Sequence, residues 1–395
     1  MTTWQRITRT RSLIPTVLAC HFLTSFTALG MPVFLPKLME GLLLSGELQW
    51  IGWFYSLPLV CMALSAPLWG WFADRYGKRL SLMRAQVGLA AGFLIIGLSD
   101  SLLQFTVGLV LQGLCGGTFA ASNAYLASQI RPSLLPTAQN WMQVSARSSL
   151  LVAPIILGLL IGNDEPRRLF IYLALLPLAA LLMTRRLPRD QNGHSQAMGD
   201  KQLTDTASPV VSRATVSAIQ FCFYFATVVT YPYFLPWANQ LGVQSATTVG
   251  FLFSLPHLCY LMLMVFNVAW VQKLNALVLC QVSFLCLLIA SLQQAQMDQA
   301  DGLVLWRLLT GLSLFLGFLG LHKLIADLNT VGTAGRLFGW FDSVGKWSAV
   351  AAGILSGMIT SELGLASTFY LSAAMILVAW CLVAGSSLPK RSNHS

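Results

Sequence analysis

The sequence predicts an all-α membrane protein: twelve transmembrane helices in two six-helix bundles related as parallel repeats. Three observations carry this. First, 56% of the 395 residues are hydrophobic and 10% are charged, against about 25% charged in an ordinary soluble chain, and the mean hydropathy is +0.68. Second, apolar runs of membrane-spanning length recur along the whole chain. Third, the cations between those runs fall almost entirely on one side. Together these exclude a water-soluble globular protein, a disordered chain and a fibrous one. Twelve spans of roughly 20 residues leave no room for a large soluble domain.

The runs follow in order. A basic segment with Arg6, Arg9 and Arg11 leads into 13–38. This run is too long for a signal-peptide core and ends without an A-x-A pattern, so it reads as a retained first span. The next five are 49–73, 80–99, 101–130, 140–162 and 167–186. Residues 187–212 are rich in Gly, Ser, Thr, Asp and Gln and read as a flexible cytoplasmic linker. Six further runs follow at 213–238, 246–270, 275–294, 301–326, 336–360 and 364–385. The expected organisation is therefore an N-terminal bundle, 1–186, the linker, 187–212, and a C-terminal bundle, 213–395.

Orientation follows from the positive-inside rule. With the N-terminus in the cytoplasm, 17 cations lie on that side, and in the opposite loops only Arg167 and Arg168 appear. Both termini are expected inside, and the location expected is a bacterial inner (plasma) membrane. The net charge of +10 is thus a topology signal and calls for no nucleic acid. The eight cysteines lie in apolar runs without a CxxC, which reads as packing and not metal binding. Trp50, Trp53, Trp237, Trp270 and Trp306 near span ends read as interfacial belts.

The halves repeat each other. Pro32-Val-Phe-Leu-Pro36 returns as Pro232-Tyr-Phe-Leu-Pro236, and Ser56-Leu-Pro58-Leu-Val-Cys61 as Ser254-Leu-Pro256-His-Leu-Cys259. Gln112-Gly113-Leu114 aligns with Thr310-Gly311-Leu312, and Trp141, Gln143 and Arg147 align with Trp340, Asp342 and Lys346. The offsets stay at 198–200 residues. Six spans per half is an even number, so both halves have the same orientation.

Between the second and third runs the chain reads Gly70-Trp-Phe-Ala-Asp74-Arg75-Tyr-Gly77-Lys78-Arg79. This resembles the G-x-x-x-D-R-x-G-R/K-R/K signature of the major facilitator superfamily, in the same place after the second span. Gly70 and Gly77 would allow close backbone approach and a sharp turn. Asp74 would face a helix N-terminus, and Arg75, Lys78 and Arg79 would hold the loop inside. The resemblance implies a conformational latch onto the start of the eleventh span, where Arg336 is the expected neighbour of Asp74. Ala153-Pro154 with Gly158 looks like a degraded form of the G-P-x-x-G-G element of proton-driven exporters in that superfamily. The chain departs from those exporters at Leu109, where they carry an arginine, and in lacking an acidic residue in the first span.

Ionisable groups inside a bilayer are costly and are functional candidates. Arg147 and Lys346 are repeat equivalents at similar depth and are expected to face each other, a pair of cations suited to an anionic substrate. Asp342, four residues from Lys346 on one helix face, is the leading proton-coupling candidate, with His21 and His257 behind it. Arg307 is read either as a substrate ligand or as a structural brace. Gln112 and Tyr231 offer polar tips for substrate, and Tyr125 reads the same way.

No Walker A pattern, HExxH or nucleophile motif occurs, so neither an ATP-driven pump nor an enzyme is expected, and no cofactor or metal. The leading reading is proton-coupled export of a small anionic or zwitterionic metabolite such as a carboxylate siderophore, to whose bacterial exporters the chain looks similar. Multidrug or antibiotic efflux is the alternative, followed by organic-acid or sugar uptake. The expected partners are the small molecule, protons and the lipid bilayer, with the chain a monomer.

Overall fold

The computed structural model describes residues 3–42, 49–131, 134–161, 166–189, 211–265, 273–328 and 334–387. It is all helical among these residues. Twelve helices follow in order: α1 (Leu13–Leu38), α2 (Gln49–Tyr76), α3 (Lys78–Gly97), α4 (Leu102–Gln129), α5 (Leu135–Leu160), α6 (Pro166–Arg185), α7 (Arg213–Gln240), α8 (Ala246–Val265), α9 (Ala276–Ala295), α10 (Leu303–Asp327), α11 (Ala334–Leu363) and α12 (Ser367–Ser387). Eleven are long and apolar enough to cross a membrane. The exception, α11, carries Asp342 and Lys346.

Several helices are bent where their residues demand it. Prolines 32 and 36 lack the N–H that an α-helix needs, and α1 tightens to a 3-10 turn over Met31–Phe34. The repeated prolines do the same to α7 over Tyr231–Tyr233. α4 breaks at Gly116 and Gly117, the latter at φ +86°. The core of the 187–212 linker lies outside the described residues.

Helix pairing recurs between the halves. α1 packs on α5 and α6, α3 on α4 and α6, and α2 on α4; α7 packs on α11 and α12, α9 on α10 and α12, and α8 on α10. The repeated motifs meet in equivalent ways. Gly113 lies against Pro58 and Cys61, and Gly311 lies against Pro256 and Cys259. Ser149 Oγ donates to Phe22 O at 3.3 Å, and Ser348 Oγ to Phe221 O at 2.6 Å.

The bundles join along two seams, α2 on α11 and α5 on α8. Both seams lie toward the end opposite the α2–α3 turn. One hydrophobic core there draws on both bundles, from Phe34 and Leu157 to Phe234, Phe253 and Phe369. At the turn end the cores are separate. Leu13, Val17, Tyr125 and Met142 form one within the first bundle, and Phe223, Leu314 and Phe341 belong to another within the second. The molecule is closed at one end and parted at the other.

Trp237, read from sequence as interfacial, is buried instead, stacked on Phe369 with ring centroids 4.4 Å apart. It belongs to the closed-end core because the double-proline turn folds its helix end inward.

Candidate functional site

Both seams depend on absent side chains. A Cβ on Gly52 would stand 2.1 Å from Gly353 O, one on Gly353 2.2 Å from Ser56 Oγ, and one on Gly357 2.5 Å from Gln49 O. Across the other seam, a Cβ on Gly158 would stand 2.5 Å from Ala246 O and one on Gly250 2.1 Å from Pro154 O. Small residues at four-residue spacing let membrane helices approach this closely. Gly353-x-x-x-Gly357 carries that signature in the sequence.

Polar groups complete the seams. Ser56 Oγ donates to Val350 O at 3.0 Å, and its repeat equivalent Ser254 donates to Leu150 O at 3.3 Å. Leu150 O is free because Pro154, four residues on, has no N–H to offer it. Gly52 stands fourth in α2, among the N–H groups that lack an intrahelical partner. Its N–H donates to the Tyr233 hydroxyl of the other bundle at 3.0 Å. Pro154 and Gly158 thus sit in the α5–α8 seam, while Ala153 lies against Gly30 of α1.

At the parted end the signature takes a different form from the one expected. α2 continues to Tyr76, so Gly70, Asp74 and Arg75 are helical and the turn is Gly77 alone, at φ +103°. Gly70 makes no close approach: a Cβ there would meet nothing within 4 Å. Asp74 reaches the first residue of α3, Lys78. It is exposed and paired with Lys78 across the turn. Arg79 Nε donates to Thr184 O at 3.1 Å, and its guanidinium also holds Arg185 O, so it caps the end of α6. Arg75 lies over Trp71 at 5.8 Å. Arg336 stands at the start of α11, its side chain outside the described residues.

The charged candidates fall in more than one place: Arg147 and Asp342 both border Tyr224, while Arg307 and His21 lie elsewhere. Arg147 leaves α5 and crosses to the other bundle, its guanidinium 4.3 Å from the centroid of Phe318 and 5.0 Å from that of Tyr260. Tyr224, Tyr260, Phe315 and Phe318 form an edge-to-face aromatic wall there, drawn from α7, α8 and α10. This wall has no signature in the sequence, since its rings come from three helices with no shared spacing. Lys346 donates to Asp342 Oδ2 at 2.6 Å in a half-exposed pair on α11.

Arg307 is buried within the second bundle. Its Nε donates to Leu252 O at 3.0 Å and an Nη to Phe253 O at 2.8 Å. Leu252 O is the carbonyl that Pro256 leaves without a donor, so the arginine holds open the α8 kink. Phe234 covers it at 4.5 Å. Tyr231 and His257 share its surroundings, 6.5 Å apart by ring centroids.

His21 lies in the first bundle, its Nδ1 3.0 Å from Ser145 Oγ. Tyr125 is fully buried there and donates to Pro188 O at 2.9 Å. Gln112 is half-buried on α4, against Gly92 of α3. Among the described residues no group of His, Cys, Asp or Glu is placed to hold a metal.

A helical membrane protein of two like-oriented bundles, closed at one end and parted at the other, is the class this geometry defines. The sequence model of the Major Facilitator Superfamily matches residues 17–293, and the chain belongs to that superfamily. It is 32% identical over 190 residues to the multidrug resistance protein MdtG of Yersinia enterocolitica. The match covers 47% of this chain and 46% of that relative, so the chain spans about half the length of the relatives it matches. Among solved structures, a D-xylose-proton symporter aligns over 97% of each chain at 14% identity, with a TM-score of 0.76. The human organic anion transporter MFSD10 (TETRAN) aligns over 97% of this chain and 100% of its own at 15% identity, with a TM-score of 0.68. At these identities the likeness is one of fold.

Proposed function

We propose that this chain is a secondary active exporter that moves amphipathic organic compounds out of the cytoplasm of a bacterium in exchange for protons. The observation that carries this is the parted end, with Arg147 reaching across it onto the aromatic wall of the other bundle. The cation bias of the loops supports a cytoplasmic position for that end and for both termini. A cavity open there and sealed at the far end suits loading from inside. In this reading residues 1–186 and 213–395 are the two rocking bundles and 187–212 is their cytoplasmic tether. The location proposed is the inner membrane.

Two findings favour drug efflux over siderophore export. The siderophore reading needs two free opposed cations, whereas Arg147 lies on aromatic rings and Lys346 is paired with Asp342. A wall of Tyr and Phe suits flat lipophilic compounds. The relatives named multidrug resistance protein MdtG support the same choice. Asp342 is the proton-exchanging group of this reading. Protonating it frees Lys346, and deprotonating it restores the pair.

The test is transport by the full chain in vesicles with an imposed proton gradient, using a fluorescent lipophilic dye and a citrate-type siderophore as probes. Dye movement against its gradient is expected, with none of the siderophore; the reverse result would overturn the reading. Asp342→Asn is expected to abolish gradient-driven accumulation while sparing dye-for-dye exchange. Full gradient-driven accumulation by that variant would remove Asp342 from the coupling role.

A further inference from the structure

Within the second bundle, α7, α8, α9, α10 and α12 line a small polar chamber. Its wall includes Tyr231, His257, Ser291, Gln294, Arg307 and Thr310. It has room for roughly one or two water-sized occupants. Two features of the wall are unusual for the interior of a membrane bundle.

The first is charge. Arg307 is 4% exposed, and an arginine keeps its proton even when buried. Among the described residues it forms no ion pair with a carboxylate; its two hydrogen bonds go to the neutral carbonyls of Leu252 and Phe253. The rings of Phe234 and Phe253 lower the cost of burying it but leave the net charge in place. A guanidinium has five N–H donors, and these two bonds use only part of that capacity.

The second is unmet hydrogen bonding. His257 is 1% exposed and Gln294 2%. Neither His257 Nδ1 nor Gln294 Oε1 has a partner. Buried polar atoms in native proteins are almost always satisfied, by protein or by a bound species. Water alone would answer the hydrogen bonds but would leave the arginine's charge uncompensated.

We propose that this chamber binds one monovalent inorganic anion of the chloride class. The anion sits against the remaining guanidinium N–H groups, with the His257 ring beside it, and a water in the second place donates to Gln294 Oε1. Its lining comes from the second bundle alone, and the proposal does not depend on what the protein exports. Its effect is on stability: the anion neutralises the charge that holds the α8 kink, so the folded second bundle binds it and the unfolded chain does not.

The test is thermal unfolding of the purified full-length protein in chloride against gluconate, an anion too large for the chamber, at constant ionic strength. The expected result is a saturable rise in Tm of several degrees with chloride, reproduced by bromide. Arg307→Gln should abolish the rise. Should that variant fail to fold, His257→Phe, which keeps an aromatic ring in place, should raise the half-saturating chloride at least fivefold. Lys346→Gln, on the wall between the bundles, should keep the wild-type rise. Equal Tm in chloride and gluconate would overturn the proposal. So would a rise that survives both chamber variants, or one lost only in Lys346→Gln.

Discussion

At the level of single residues, prolines explain much of the polar chemistry. Each removes an N–H and frees a carbonyl in the preceding turn, and at two of them a side chain from another helix answers it. Ser254 answers Leu150 O ahead of Pro154, and Arg307 answers Leu252 O ahead of Pro256. The prolines were plain in the sequence, and so were the buried charges. Their pairing was not, because a backbone carbonyl has no sequence signature and the donor comes from a different helix. The Tyr233 hydroxyl is the same kind of contact at a helix start. Tyr233→Phe leaves the Gly52 N–H buried without an acceptor, at a cost of about 1–3 kcal/mol. The expected outcome is a shift of population toward the form open at the far end. Faster thiol labelling of a cysteine introduced at Gln49 would report it, and an unchanged labelling rate would show that the contact does not hold the seam.

At the level of helices, the repeat was readable from sequence because its motifs are local and ordered, and it predicted which helices are equivalent. It could not say which motifs touch. The structure brings Gly113 onto Pro58 and Gly311 onto Pro256, so each repeated pair is the two sides of one contact. Of the exporter-like residues, Pro154 and Gly158 lie in one seam and Ala153 packs on α1, and Gly353-x-x-x-Gly357 on α11 is part of the other seam. Gly353→Ala places a methyl 2.2 Å from Ser56 Oγ, and the helices must separate to take it. The expected effect is at least a tenfold loss of dye transport with normal membrane abundance. Gly339→Ala on the same helix, where a Cβ meets nothing within 4 Å, should transport normally. Equal transport by the two variants would mean that the close approach is dispensable.

At the level of the whole molecule, the superfamily signature is paired within its own turn. Asp74 is paired locally with Lys78, and α2 exposes Leu64, Leu68 and Trp71 along its last turns. The sequence resemblance pointed to a latch onto α11, and a latch is engaged only when the parted end closes. One sequence encodes both arrangements, so no reading of it selects the one observed. The two ends must be coupled, since rigid bundles that rock about the seams cannot close both at once. Spin labels at Leu68 and Gly339, on the parted ends of α2 and α11, measure this directly. Wild-type protein should give mainly long distances. Tyr233→Phe, by loosening the far seam, should add a short-distance population. Combining it with Asp74→Asn should remove that population again, because the closed form then loses the carboxylate that fastens it. A short-distance population that persists in the double variant would show that Asp74 does not fasten the closed form, and that its partner Lys78 is its role in both.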